Sequence, residues 1–543
     1  MPDDRGTLLR ELIGSEGRLI VLSNRGPVTF EQDPRDAGSL TAARGSGGLV
    51  TALAELGRHA PLTWVAAALS EADRVVAPVL RRLATGDANG DPHGLAARVR
   101  DLLDETVPGQ DLHLELVDLP PEVFEPYYGT IANPFLWFIG HRMYQPAYAP
   151  NIDDDFLAAW RGGYRAANER LAEAAVEAAR DLSDPVVLVQ DYHLYLAPAT
   201  IREPRPDATI LHFTHIPWPG ATEWQLLPSG LRRAIVEGLL ASDIVGLQTD
   251  HYATNFLETV EIAVRDARVE PDGRTVRWGG RRIPVRTYPI SIDPDGLLRF
   301  TRTPAVEERV ARLREQLDRA GNPLLIVRAD RIEPSKNILR GFLAFEALLQ
   351  RRPDLRGRVR FLAVQASTRS EIPEYASYAA AVRDVVARIN GLAEPDHAPV
   401  WIVDGSDYAM AIAAMRLADV VLVNPLVDGM NLVAKEAVIV GQRDPVLVLS
   451  ETAGAAEQLA VDSLIVAPAD ISGTASQLER ALTMGVDERR WHVRNLRQSV
   501  RQEDIRWWLD RQLRDLAAIR RGQGPPSRRL RDTLRRVEVA LPG

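Results

Sequence analysis

Val420-Val421-Leu422-Val423, followed after a short gap by Asp428-Gly429-Met430-Asn431-Leu432-Val433-Ala434-Lys435-Glu436, decides how this chain folds. The first run is apolar and largely β-branched, as a strand covered on both faces must be. The second bends at a glycine and continues with helix-forming residues. A buried strand feeding a helix through a tight turn is half of a parallel strand–helix–strand unit. Six more runs repeat it: Leu19–Leu22, Val186–Val189, Ile210–Phe213, Leu324–Val327, Val359–Val364 and Val446–Leu449. Between them, segments such as 155–180, 229–242, 304–320, 339–351 and 373–390 carry apolar residues at i, i+3, i+4 spacing. The alternation predicts an α/β protein with parallel sheets, and so many strands fit two sheets better than one.

The turn-rich stretch around 289–303 marks the break. It divides the chain into an N-terminal domain, 1–295, and a second domain, 296–503, followed by a helix at 504–519 and a tail, 520–543. Residues 85–110 read as a surface excursion, and the arginines of 520–536 as a solvated helix. No repeat of domain-building length appears.

Among 543 residues there is no cysteine, which excludes disulfides, thiolate metal sites and thiol nucleophiles together. The net charge of −9 gives no electrostatic reason to expect nucleic acid or an anionic membrane as partner. No apolar run reaches the roughly 18 residues of a membrane span, and the acidic first residues do not resemble a signal peptide. A cytoplasmic protein is expected. Of 65 basic residues only Lys336 and Lys435 are lysine.

Ligands bind beyond the carboxyl ends of parallel strands, so the residues following each strand are the place to search. Those residues are Asn24 and Arg25, then Asp191 and His193, His215, Arg331 and Lys336, Arg369, Asp428 and Glu451. The turn at Asp428–Asn431 opens a helix, whose first N–H groups suit an anion such as a diphosphate. Asp428 suits sugar hydroxyls, and Glu436, about a turn further, suits a ribose diol. Arg331 and Lys336 form a second anion site, a planar fork beside a compact ammonium. Gly45–Gly48 permits close backbone approach to phosphate. Asp191 and His215 are candidates for contacts to a reacting sugar. Neither belongs to a nucleophile triad, and no metal-ligand spacing or phosphate loop of the NTPase type is present.

These motifs, in this order, resemble the trehalose-6-phosphate synthase family of retaining glycosyltransferases. The resemblance rests on Leu22-Ser-Asn-Arg25-Gly-Pro, Gln190-Asp-Tyr-His-Leu194, His215-Ile-Pro-Trp-Pro, Tyr288-Pro-Ile-Ser-Ile-Asp293, Asp428–Glu436 and Leu449-Ser-Glu-Thr-Ala-Gly-Ala-Ala-Glu457. It implies the GT-B fold: two Rossmann-like domains facing a central cleft, with a C-terminal helix crossing back to the first. It further implies that Arg25, Tyr128, Trp137 and Arg369 surround an acceptor phosphate, and that Asp191 and His215 meet the reacting sugars. Gly47 and Gly48 would hold donor phosphates, and Arg331 and Lys336 the departing diphosphate. Asp428 with the Met430 and Asn431 backbone would hold the donor glucose and Glu436 the ribose, with Gly429, Leu432 and Val433 also counted to the donor site.

The implied reaction moves glucose from a nucleoside-diphosphate-glucose to glucose 6-phosphate, with no cofactor and no metal. A homo-oligomer is compatible with it. Three departures stand out. The loop Arg331-Ile-Glu-Pro-Ser-Lys-Asn337 replaces a commoner Arg-Leu-Asp-Tyr-Ser/Thr-Lys-Gly, Val427 replaces a basic residue, and Ser367-Thr368 replaces a proline usual near Arg369. The Glu-Pro-Ser-Lys-Asn form also occurs in a pseudo-glycosyltransferase joining an activated cyclitol to an aminocyclitol phosphate. That enzyme and a glucosylglycerol-phosphate synthase are the nearest rivals. A phosphorylase carrying pyridoxal phosphate on Lys435 and a degenerate sugar-phosphate sensor are more distant ones.

Overall fold

In the computed structural model, which describes residues 4–14, 17–33, 36–45, 53, 55–85, 94–367, 372–391 and 397–522, the chain forms two compact units. Among the described residues, one takes the chain up to Gly140, Tyr144–Tyr288 and 508–522; the other takes His141–Met143 and Pro289–Trp507.

The first unit holds β1 (Leu19–Ser23), β2 (Val28–Asp33), β3 (Asp36–Arg44), β4 (Leu62–Ala67), β5 (Leu112–Val117), β6 (Val186–Gln190), β7 (Thr209–Phe213), β8 (Ile244–Leu247), β9 (Arg268–Val269), β10 (Thr275–Trp278) and β11 (Arg281–Thr287). Among the described residues, nine of these form one sheet in the order β5-β4-β1-β6-β7-β8-β11-β10-β9, and β2 and β3 form a separate hairpin. Pairing is parallel from β5 through to β11 and antiparallel at β10 and β9. Leu19 lies between Leu62 and Val186, which fixes the register of β4, β1 and β6. Every residue of β1, β6 and β7 is buried, so unbroken apolar runs rather than alternation were the right signature for them; β4 is buried throughout as well. The chain builds outward from β1 through β4 and β5 on one side, and from β6 through β7 and β8 on the other. The order reverses between β1 and β6.

The helix Ile505–Arg520 closes this unit from Trp508 onward. Trp508 is fully buried and its indole N–H donates to the Tyr288 carbonyl at 3.1 Å. Burying such a side chain contributes roughly 2–3 kcal/mol. Asp515 accepts from the Tyr288 hydroxyl at 2.6 Å, and Asp510 pairs with Arg5 at 2.8 Å.

The second unit holds β12 (Leu324–Arg331), β13 (Val359–Ala366), β14 (Val400–Asp404), β15 (Val420–Val423), β16 (Val446–Ser450) and β17 (Leu464–Val466). Among the described residues they form one wholly parallel sheet, ordered β14-β13-β12-β15-β16-β17. One face packs on a core of Phe342, Phe345, Phe361, Leu348 and Leu422. The order reverses between β12 and β15.

Part of the expected excursion at 85–110 is instead helix, Leu95–Thr106, with Val99 and Leu102 buried. Its apolar residues at 95, 99 and 102 have helical spacing, which the preceding run of turn-forming residues overshadows. Residues 523–543, including most of the arginine-rich tail, lie outside the described residues.

Candidate active site

At the reversal point of the first sheet, β1 ends in Ser23-Asn24-Arg25 and β6 in Asp191-Tyr192-His193. Asp191 adopts φ 73°, a region that side chains rarely enter. Its N–H donates to the Phe213 carbonyl at 2.7 Å, and its Oδ1 accepts the N–H of His215 at 3.0 Å. The aspartate after β6 therefore clamps the turn after β7. Burial pushes the Asp191 carboxyl up to about 6, opposed by the N–H groups of His215, Tyr192 and Ile216.

His215 places Nε2 3.0 Å from Gln190 Oε1. The contact ties the imidazole to the side-chain amide at the end of β6. Burial, with a smaller contribution from His212, holds the His215 pKa down to about 3, and the ring is neutral.

Tyr128 lies in a π-helical stretch, Glu125–Leu136, with Trp137 immediately beyond. Such widened turns are frequent at functional sites. Tyr127 donates to Asn24 Oδ1 and Tyr192 donates to Asn133 Oδ1, both at 2.9 Å, so the stretch is tied to the ends of β1 and β6. The Tyr128 ring stacks on Phe124 and lies nearly parallel to His193, and Trp137 packs on Tyr192. Arg25 is exposed, and its carbonyl accepts from Ser23 Oγ, which in turn accepts from Trp64 Nε1, both at 2.7 Å.

Asn168, which sequence reading passed over, is fully buried and anchors this loop. Its amide donates to the carbonyls of Tyr164 and His193, and its oxygen accepts from Leu196 and Ala197 N–H. A lone asparagine in the Ala-rich helix Ala166–Ala178 was the only signal.

In the second unit, the loop after β12 and the turn after β15 meet at the other reversal point. The Lys336 ammonium donates to Asp428 Oδ2, with both side chains largely buried. Burial opposes both charges most strongly, yet the pairing wins. The Asp428 carboxyl stays below the usual range and the Lys336 ammonium above its own. Asn431 Nδ2 also donates to Asp428 Oδ2, at 3.1 Å. Asn431 takes φ 75° and caps the helix Leu432–Val440, its Oδ1 accepting from Ala434 N–H at 3.3 Å. Gly454 abuts this turn so closely that a Cβ there would lie 2.0 Å from the Gly429 oxygen. Ala455 N–H donates to the Met430 carbonyl at 2.8 Å.

Beneath Lys336 lies a buried pair that the sequence did not reveal. Arg328 donates to Asp330 Oδ2 at 2.7 and 3.0 Å and to the Lys336 carbonyl at 3.0 Å. The half-exposed Arg331 guanidinium sits 3.6 Å from the buried Glu333 carboxylate. Burial would raise the Glu333 pKa, but Arg331 and Lys336 hold it low. Asn337 occupies φ 56°, where the commoner loop has glycine, and its amide donates to Asn424 O at 3.0 Å and Pro468 O at 2.7 Å. Glu436 accepts the Tyr408 hydroxyl at 2.8 Å.

Lys435 points elsewhere. It is fully buried, and Nζ donates to the Ile290 carbonyl at 2.9 Å. Gly47, Gly48 and Arg369 lie outside the described residues. Leu432 and Val433 begin the helix as expected.

Residues 17–518 match the sequence profile of glycosyltransferase family 20. The chain belongs to glycosyltransferase family 20. A bifunctional trehalose-6-phosphate synthase/phosphatase of Thermoproteus tenax is 36% identical over 91% of this chain, which spans 62% of that protein's length. A validamine 7-phosphate valienyltransferase of Streptomyces hygroscopicus subsp. jinggangensis is 31% identical, covering 93% of this chain and 95% of its own. Among solved structures, a UDP-forming α,α-trehalose-phosphate synthase from Burkholderia xenovorans in complex with glucose-6-phosphate superposes with a TM-score of 0.73 at 27% identity. That match covers 92% of this chain and all of the other. These likenesses, with two α/β units, establish the GT-B architecture for this family 20 glycosyltransferase.

Proposed function

We propose that this chain is a retaining glucosyltransferase that makes α,α-trehalose 6-phosphate from a nucleoside-diphosphate-glucose and glucose 6-phosphate. The observation that carries the reading is the buried Lys336–Asp428 pair at the reversal point of the second sheet. It places a compact cation and a hydroxyl-binding carboxylate together, beside a helix N-terminus. Relatives named for this chemistry match over nine-tenths of the chain.

In the reaction the bond between the anomeric carbon and the diphosphate oxygen breaks, and one forms to the acceptor hydroxyl on the same face. The hydroxyl proton passes to the departing phosphate oxygen. Catalysis then consists of alignment and of stabilising charge on the diphosphate, the roles of Arg331, Lys336 and the N–H groups at Asn431 to Val433. Asp191 and neutral His215 would meet the sugars, and Arg25, Tyr128, Trp137 and Arg369 the acceptor phosphate. The proposal extends to Gly47 and Gly48 on the donor phosphates and to a cofactor-free reaction. It also extends to a cytoplasmic location, where such charged metabolites are retained.

Incubation with UDP-, GDP- and ADP-glucose, each with glucose 6-phosphate, followed by phosphorus NMR, tests it. A disaccharide phosphate and free nucleoside diphosphate are expected. The likeness to the valienyltransferase, together with the Glu333–Asn337 loop, favours one second reading. No product from any glucose donor, with turnover of a nucleotide-activated cyclitol, would establish that reading instead.

A further inference from the structure

We propose that Tyr408 is a specificity-determining residue that, with Glu436, reads the two hydroxyls of a ribonucleotide's cis-diol. The inference rests on the donor site proposed above. The Tyr408 hydroxyl donates to Glu436 Oε1 at 2.8 Å. That commits the phenolic proton to the carboxylate, which leaves the phenolic oxygen and the second carboxylate oxygen as acceptors. Two adjacent acceptors suit two adjacent donors, which a ribose presents and a deoxyribose does not. A phosphorylated ribose would meet the carboxylate's charge and be rejected.

The tyrosine does not depend on its hydroxyl for its place. It begins the helix Tyr408–Leu417, capped by the Asp407 carboxylate, which accepts Ala409 N–H at 2.9 Å and pairs with Arg309 at 2.7 Å. Its ring stacks on Phe300 with centroids 5.4 Å apart, and 48% of the residue is exposed. The tyrosine ring is half-exposed while its carboxylate partner is more enclosed, so losing the hydroxyl leaves the ring's packing in place. Burial raises the Glu436 carboxyl, and the tyrosine's hydrogen bond opposes that rise.

Calorimetric titration of the full chain and of Tyr408→Phe with UDP and GDP, and with their 2′-deoxy and 3′-deoxy forms, tests the proposal. The substitution keeps the ring and its stack. It should weaken ribonucleotide binding roughly 5- to 10-fold, yet leave unchanged the binding of whichever deoxy form lacks the hydroxyl that Tyr408 receives. An equal loss for all three forms, or no loss for the ribonucleotide, overturns the inference while leaving the donor site standing. Wild-type protein that binds neither nucleotide overturns the donor reading and this inference with it.

Discussion

Lys336 and Asp428, 92 residues apart in sequence, share one buried ion pair in which Lys336 Nζ donates to Asp428 Oδ2. The pair joins the loops following β12 and β15. It therefore couples the fold of the second unit to its chemistry, and two different losses follow from breaking it.

Replacing Lys336 by Ala removes the charge proposed to meet the leaving diphosphate, so kcat should fall at least about 10²-fold. It also strands Asp428 as a buried carboxylate, at a cost of roughly 3 kcal/mol. Lys336→Ala, Asp428→Ala and the double variant form a cycle. The double variant is expected to recover part of the stability and none of the activity. Undiminished turnover in Lys336→Ala would remove the proposed role.

Asp191 should show the opposite sign. Its folded pKa, about 6, lies above the ordinary 3.8 because burial favours the neutral acid. The charged form therefore destabilises the fold above pH 6, and that penalty fades as pH falls toward 4. Asp191→Asn keeps an oxygen for His215 N–H and should stabilise the protein at pH 7.5 by on the order of 2 kcal/mol. Its activity should drop about 100-fold if the carboxylate contacts the reacting sugar. In the wild type, kcat/KM should decline below pH 6. Any decline that survives in Asp191→Asn belongs to the acceptor phosphate, which titrates near the same pH.

How much of this was legible follows from what each signal depends on. Unbroken apolar runs mark strands buried on both faces, so β1, β6, β7, β12, β13, β15 and β16 stood out. β4 contains Thr63 and Trp64, and β14 is an edge strand with Ile402 and Asp404 exposed, so neither carried that signature. At the site, residues at strand ends were found because position in a parallel sheet implies access. Arg328 and Asn168 escaped notice because they act inward, on the backbone of the loops that follow β12 and β6. Lys435 lies in the sharpest motif of the chain and still points away from it, which no spacing rule reveals.

Asn337 offers a separable test of the loop that departs from the family pattern. It holds a left-handed φ and hydrogen-bonds two other strand ends. Asn337→Gly keeps the backbone conformation and loses the two bonds, an expected cost of about 1–2 kcal/mol. Asn337→Ala also forces a Cβ into the left-handed region without a compensating side chain, for about 1 kcal/mol more. Hydrogen exchange at β15 and β17 should report the loss locally. Identical protection in wild type and Asn337→Gly would show that the bonds contribute nothing.

Lys435 makes the last expectation, in which pH does the work. Burial drives its pKa down to about 7, with Glu503 opposing only in part, against 10.5 for a free lysine. Between those values the unfolded chain binds a proton that the folded chain does not, so stability rises with pH across that window. Below pH 7 both states are protonated and the full penalty of a buried ammonium remains. Its hydrogen bond to the Ile290 carbonyl survives deprotonation, because a neutral amine still donates. Lys435→Met removes the titrating group while keeping most of the volume. Melting temperatures from pH 6 to 10 should climb for the wild type relative to Lys435→Met, closing a gap on the order of 3 kcal/mol. Parallel profiles for the two proteins would mean that Lys435 stays charged where it is buried, held by partners other than the Ile290 carbonyl.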